Sequence, residues 1–106
     1  MLLGKAESGR GKGWVAGPWN GNAPVAIGFA DIGGDEPHTH DRMFEIYLVA
    51  RGTSTAMVGA ETVELEAGSV LIVEPGEVHR FTRSSSDYLH FVVQAPFTEG
   101  DKRFTE

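Results

Sequence analysis

The sequence predicts an all-β domain, a single barrel or sandwich of about eight short strands. Three observations carry that expectation. Fourteen glycines and five prolines punctuate the chain at short intervals. The runs between them are rich in Val, Ile, Thr, Phe and Tyr, the residues that suit a pleated surface. Helical periodicity is hard to find anywhere.

Taken in order, residues 1–13 hold Gly4, Gly9, Gly11 and Gly13 among charges and read as a flexible N-terminal arm. The barrel is placed at 14–97. Trp14–Trp19 reads as a first short strand, and Pro24–Asp31 as a second that stops at Gly33-Gly34-Asp35. Met43–Arg51 is the strongest strand, broken by Gly52. Thr53–Val58 and Thr62–Glu66 form a hairpin around Gly59-Ala60-Glu61, and Ser69–Glu74 stops at Pro75-Gly76. His79–Arg83 and Tyr88–Ala95 read as another hairpin across Ser84-Ser85-Ser86-Asp87. Residues 98–106 are charged, without pattern, and read as a C-terminal tail.

In Met43–Arg51 one face presents Met43, Glu45, Tyr47 and Val49, and the other Phe44, Ile46 and Leu48. Both faces are largely apolar, so something should cover each. A barrel interior covers one. A second sheet, the arm or another subunit must cover the other, and a homodimer is expected.

Composition excludes several classes. With 106 residues there is room for one domain. Lys+Arg number 9 against 15 Asp+Glu, giving a formal charge of −6. The basic residues are scattered, so no nucleic-acid partner is expected. The absence of cysteine removes disulfides, zinc–thiolate sites and thiol nucleophiles. The start, Met1-Leu2-Leu3-Gly4-Lys5, lacks the apolar run of a signal peptide, and no stretch approaches the roughly 20 apolar residues of a membrane span. A soluble cytoplasmic protein without a membrane partner is expected.

The chemistry lies in the histidines. His38 and His40 form an H-x-H pair whose imidazoles point to one side of an extended segment. Glu45 interrupts an apolar strand, and a buried carboxylate is costly unless it is paired or metal-bound. The donors near it in sequence include imidazoles, and His79 follows the Pro75-Gly76 turn. The competing readings are surface-loop positions for His38 and His40 and a turn cap for His79.

These residues resemble the cupin superfamily of small β-barrels. Its first motif, G-x5-H-x-H-x3/4-E-x6-G, is matched by Gly33, His38-Thr39-His40, Glu45 and Gly52, with only the first gap one residue short. Its second, G-x5-P-x-G-x2-H-x3-N, is matched by Gly68, Gly76 and His79, with Glu74 at the proline position and Arg83 at the asparagine. Fifteen residues (53–67) separate the motifs. The resemblance covers about residues 24–96 and implies a double-stranded β-helix, or jelly-roll, with a metal held by His38, His40, Glu45 and His79. Three imidazoles and one carboxylate suit a divalent first-row metal (Fe, Mn, Ni, Zn or Cu) and leave one or two coordination positions open.

His90 has two readings. A four-residue loop at Ser84–Asp87 turns it inward as an acid/base near the metal; one residue more or less turns it outward. Tyr47 shares Glu45's face and lines the pocket, as a phenolic donor or as core bulk. Arg42, Arg51 and Arg80 read as solvated surface groups, with pairing to an anionic substrate as the alternative. The function expected is a metal-dependent enzyme acting on a small oxygenated organic molecule, as a dioxygenase, isomerase or lyase. The alternative is a non-catalytic, metal-assisted small-molecule binding module.

Overall fold

The computed structural model describes residues 1–7, 9, 11–32 and 34–105; Gly33, the first glycine of the H-x-H motif, lies outside the described residues. The described residues form ten strands: β1 (Lys12–Ala16), β2 (Ala26–Ala30), β3 (His38–His40), β4 (Phe44–Arg51), β5 (Thr53–Val58), β6 (Glu61–Glu66), β7 (Val70–Val73), β8 (His79–Ser84), β9 (Leu89–Ala95) and β10 (Lys102–Phe104). They make two five-stranded antiparallel sheets, ordered β1-β2-β9-β4-β7 and β10-β3-β8-β5-β6. From β2 to β5 and again from β6 to β10 the chain changes sheet at every connection, which is the jelly-roll winding. Among the described residues no helix is long and apolar enough to cross a membrane.

Alternation decides what faces inward. Along β4, Met43, Glu45, Tyr47 and Val49 are buried, while Phe44 and Leu48 are exposed on the outer face. Tyr47, Val49, Ala56, Leu65, Val73, Phe81 and Tyr88 close into one core, each large side chain contributing about 1.5–3 kcal/mol. That core fills the end of the sandwich formed by β4–β7 on one sheet and β5–β6 on the other. The opposite end, toward β1 and β10, stays hollow.

Gly52 turns the chain from one sheet into the other. Its φ is +76°, and a Cβ there would meet Tyr88 Cα at 2.7 Å and Ser85 Oγ at 2.6 Å. Backbone conformation and space both demand glycine at this bend.

The expected β8–β9 hairpin is corrected. β8 already bonds β3 and β5 at its two edges, and β9 bonds β2 and β4. A strand has only two edges, so Ser84–Asp87 is a crossing between sheets and not a hairpin turn. The first strand runs from Lys12, inside the stretch read as an arm, and stops before Gly17. The stretch read as a tail supplies β10, which pairs with β3 in the register Lys102↔His40, Arg103↔Thr39, Phe104↔His38.

Candidate metal centre

Three strands deliver the four expected residues to one point. β3 presents His38 and His40 on its inward face, two residues apart. β8 lies beside it with His79 directly opposite His38. The amide of Gly76, in the turn before β8, donates to His40 O at 2.8 Å and clamps the two segments together. Glu45 reaches in from β4 on the facing sheet. One donor atom from each of His38, His40, Glu45 and His79 lies within 4.8 Å of the others, and all four residues are buried.

The detailed geometry asks for a cation. His79 Nε2 lies 2.7 Å, His40 Nε2 3.0 Å and His38 Nε2 3.8 Å from the same oxygen, Glu45 Oε1. His38 Nδ1 and His79 Nδ1 face the carbonyl oxygens of Glu36 (2.9 Å) and Glu77 (3.0 Å), so these nitrogens carry protons and donate. A neutral imidazole so held turns its bare Nε2 toward the carboxylate, and lone pair meets anion unless positive charge lies between. A proton on His79 is one such charge: burial opposes it, but the Glu45 carboxylate and the Glu77 carbonyl raise that imidazole above its ordinary value. It leaves His40 unserved, because its Nδ1 is buried without a hydrogen-bond partner and its Nε2 has only the shared Glu45 oxygen at 3.0 Å. A divalent ion among the four side chains satisfies all of them, and the donor set fits it.

Around this cluster stands a supporting shell. The Tyr47 hydroxyl donates to Glu45 Oε1 at 2.8 Å, and the Gln94 side-chain amide donates to Oε2 at 2.9 Å. Burial would raise the Glu45 carboxyl, but the surrounding imidazoles and the Gln94 amide outweigh it and hold the group ionised far below the usual carboxylate range. Burial and the adjoining Glu45 charge push the Tyr47 phenol well up, so it remains a donor. Gln94 was not singled out by sequence, yet a signal existed: besides His90 it is the polar residue in an otherwise apolar β9, and the register sets it opposite Glu45.

His90 faces inward. The expected reason was the hairpin; the actual one is that the β9 register with β4 sets it opposite the inward-facing Val49, and its ring stacks 4.8 Å from that of Phe81 on the opposite sheet. The Tyr88 hydroxyl lies 2.6 Å from His90 Nδ1. Burial lifts the Tyr88 phenol to about 12, so the phenol keeps its proton and donates it, leaving the imidazole proton on Nε2. Burial lowers the His90 imidazole to about 4, against a weaker opposite pull from Glu45. An unfolded histidine takes up its proton near pH 6.5, so protons favour the unfolded chain between those values, and stability falls as pH drops from 6.5 to 4 by up to about 3 kcal/mol. His90→Gln should flatten that part of the profile, read as urea-melt stabilities of both proteins at pH 7 and pH 4 in chelator; parallel profiles would refute it.

A cavity of about 500 Å³ opens from the cluster toward β1 and β10. Glu45, His38, Tyr47, His90 and Gln94 form its floor, with Trp14, Phe81 and Val92 among its walls. Arg42, Arg51 and Arg80 do not line it, and Arg51 Nε donates to Asp87 O at the surface.

The family model for the cupin domain matches residues 30–94, more than half of the chain. The chain belongs to the cupin family. A curated relative, an uncharacterized protein of Streptomyces coelicolor, is 35% identical over 78 residues, 71% of each chain. Among solved structures, this cupin is similar to a cupin-like protein of Thermotoga maritima (TM-score 0.76, 17% identity, covering 89% of this chain and 74% of that one). It is similar to KdgF of Halomonas sp. (TM-score 0.70, 20% identity, 83% and 79%) and to a nucleoside dehydratase of Streptomyces (TM-score 0.72, 19% identity, 97% and 85%). At those identities the solved neighbours show the fold alone.

Proposed function

We propose that this cupin is a metal-dependent enzyme that transforms a small oxygenated organic molecule in the cavity above His38, His40, Glu45 and His79. The observation that carries the reading is the convergence of three buried imidazoles on one carboxylate oxygen, with both nitrogens of His40 otherwise unpartnered. A divalent ion held there supplies positive charge that polarises a carbonyl or enolate oxygen and lowers the pKa of a bound water.

The protein's own groups then divide the work. The Glu36 and Glu77 carbonyls orient His38 and His79, and Tyr47 and Gln94 fix both oxygens of Glu45. His90, neutral at pH 7, presents its Nε2–H as a hydrogen-bond donor to a substrate oxygen, its tautomer held by Tyr88. Trp14, Phe81 and Val92 give the cavity apolar walls. Neutral hydrogen-bond donors beside a charged floor suit proton transfer at an oxygenated carbon, so lyase or isomerase chemistry leads and a dioxygenase follows.

The test is to identify the ion in purified protein by elemental analysis, then to follow oxygen uptake and product formation with enediols, sugar acids and flavonols. Turnover without oxygen uptake is expected. Tight binding of one compound with turnover of none would replace the enzyme by a metal-assisted binding module.

The same reading includes a cytoplasmic homodimer. On the outer face of the first sheet Val70 and Ile72 are 58% and 55% exposed, beside Phe44 and Leu48. They sit on and next to β7, an edge strand whose outer backbone groups are unpaired within the sheet. A second copy packed on this face about a two-fold axis would bury those side chains. Sedimentation velocity should show a dimer that Ile72→Lys dissociates; a monomeric parent would end this part of the reading.

A further inference from the structure

The cavity mouth lies between the edge strands β1 and β10, and register decides what stands there. Lys12 pairs with Ala30, which pairs with His90, so Lys12 shares the inward face of its sheet with His90. Lys102 pairs with His40 and so shares the inward face of the other sheet with a residue of the His/Glu cluster. Both lysines line the cavity, one on each sheet. They are two of the chain's three lysines, in a protein of net charge −6.

Among the described residues neither lysine has an ion-pair partner. The Lys102 ammonium lies 4.9 Å over the Phe104 ring, which leaves its charge free for a second partner. The carboxylates of the lining are engaged elsewhere: Asp35 Oδ1 accepts from Phe81 N at 2.6 Å, and Glu45 accepts from Tyr47 and Gln94. Two unpaired lysine charges therefore stand in the cavity lining, above a floor that includes the His90 imidazole and the Glu45 carboxylate.

We propose that the substrate is an organic anion whose carboxylate or phosphate group is held at the mouth by Lys12 and Lys102. Its uncharged oxygenated part then extends between Trp14 and Val92 toward Glu45. The proposal rests on the cavity being the substrate site. Two lysines reaching one anionic group from facing sheets also steer anions in against the chain's overall negative charge.

The test compares mandelate, its neutral amide mandelamide, and phenyl phosphate, by calorimetric titration of the full chain as purified. Metal content is measured on the same samples. Both anions should bind at least about fivefold tighter than the amide, and 0.5 M salt should weaken the anions only. The tighter anion names the group. Lys12→Gln/Lys102→Gln should keep its metal and lose the preference. An amide that binds as well as both anions, or a double variant that retains the preference at equal metal content, would overturn the proposal. A parent that lacks metal yet prefers anions through these lysines would sink the metal-enzyme reading and leave this one standing.

Discussion

His79→Ala protein is expected to hold less than about a tenth of the metal found in the parent, with its β-sheet signature intact. His79 approaches the shared carboxylate oxygen at 2.7 Å, and its Nδ1 is anchored on the Glu77 carbonyl. Altering groups that merely orient a ligand commonly costs 10–100-fold in affinity, so deleting a ligand costs at least that. The fold should survive because His79 lies outside the apolar cluster of Tyr47, Val49, Ala56, Leu65, Val73, Phe81 and Tyr88. His38→Ala should behave alike. Elemental analysis with circular dichroism on both variants and the parent decides the matter. Parent-like metal in either variant would remove that residue from the ligand set.

The second large effect is expected far from the motifs. Asp101 is buried, and its carboxylate accepts the backbone amides of Asp41 (3.2 Å), Arg42 (3.0 Å) and Met43 (2.9 Å). Burial works to raise that carboxyl, and the three donors outweigh it and draw it below its ordinary value. The segment it holds is the link between His40 and Glu45. Asp101→Ala leaves three amides without an acceptor and should cost about 2–4 kcal/mol. For a domain of this size that lowers Tm by more than about 10 °C. Metal affinity should fall about tenfold as well, because the link sets the spacing of two ligands. Thermal melts and competition with a metal chelator measure the two effects. A variant that melts within a few degrees of the parent would show that water replaces the carboxylate and that the link holds itself.

Asp101 also marks where reading the sequence stops. It sits in a charged stretch without periodicity, 58–60 residues from its partners, and nothing local distinguishes it from Asp87 or Glu99. Gln94 and Tyr88 are intermediate cases. Each is a polar or amphipathic residue in or beside an apolar strand, which hints at a buried partner without naming one. His38, His40 and Glu45 were legible because their chemistry depends on short-range spacing, whereas His79 joined them only through the resemblance to the cupin motifs. A two-residue step puts two imidazoles on one face and a strand otherwise apolar makes a carboxylate conspicuous, but only the pairing of β3 with β8 sets the third imidazole beside them.

The β8–β9 connection shows the opposite limit. Four polar residues between two strands suit a hairpin, and only the pairing of each strand with two others makes the link a crossing. His90 came inward all the same, since alternation along β9 depends on what that strand pairs with and not on the loop before it.

Beyond what the cupin resemblance implied for His79, the amino-acid order by itself determined the all-β class, the inward face of β4, the His38–His40 pair on one face and the conspicuous carboxylate of Glu45. These follow from backbone periodicity and from the cost of burying charge, which act over a few residues. The tertiary structure alone decided which strands are neighbours, that Asp101 braces the link between His40 and Glu45, and that two lysines from opposite ends of the chain line one cavity. Those outcomes depend on pairing between segments remote along the chain, where many registers satisfy the local pattern and only the packed whole selects one.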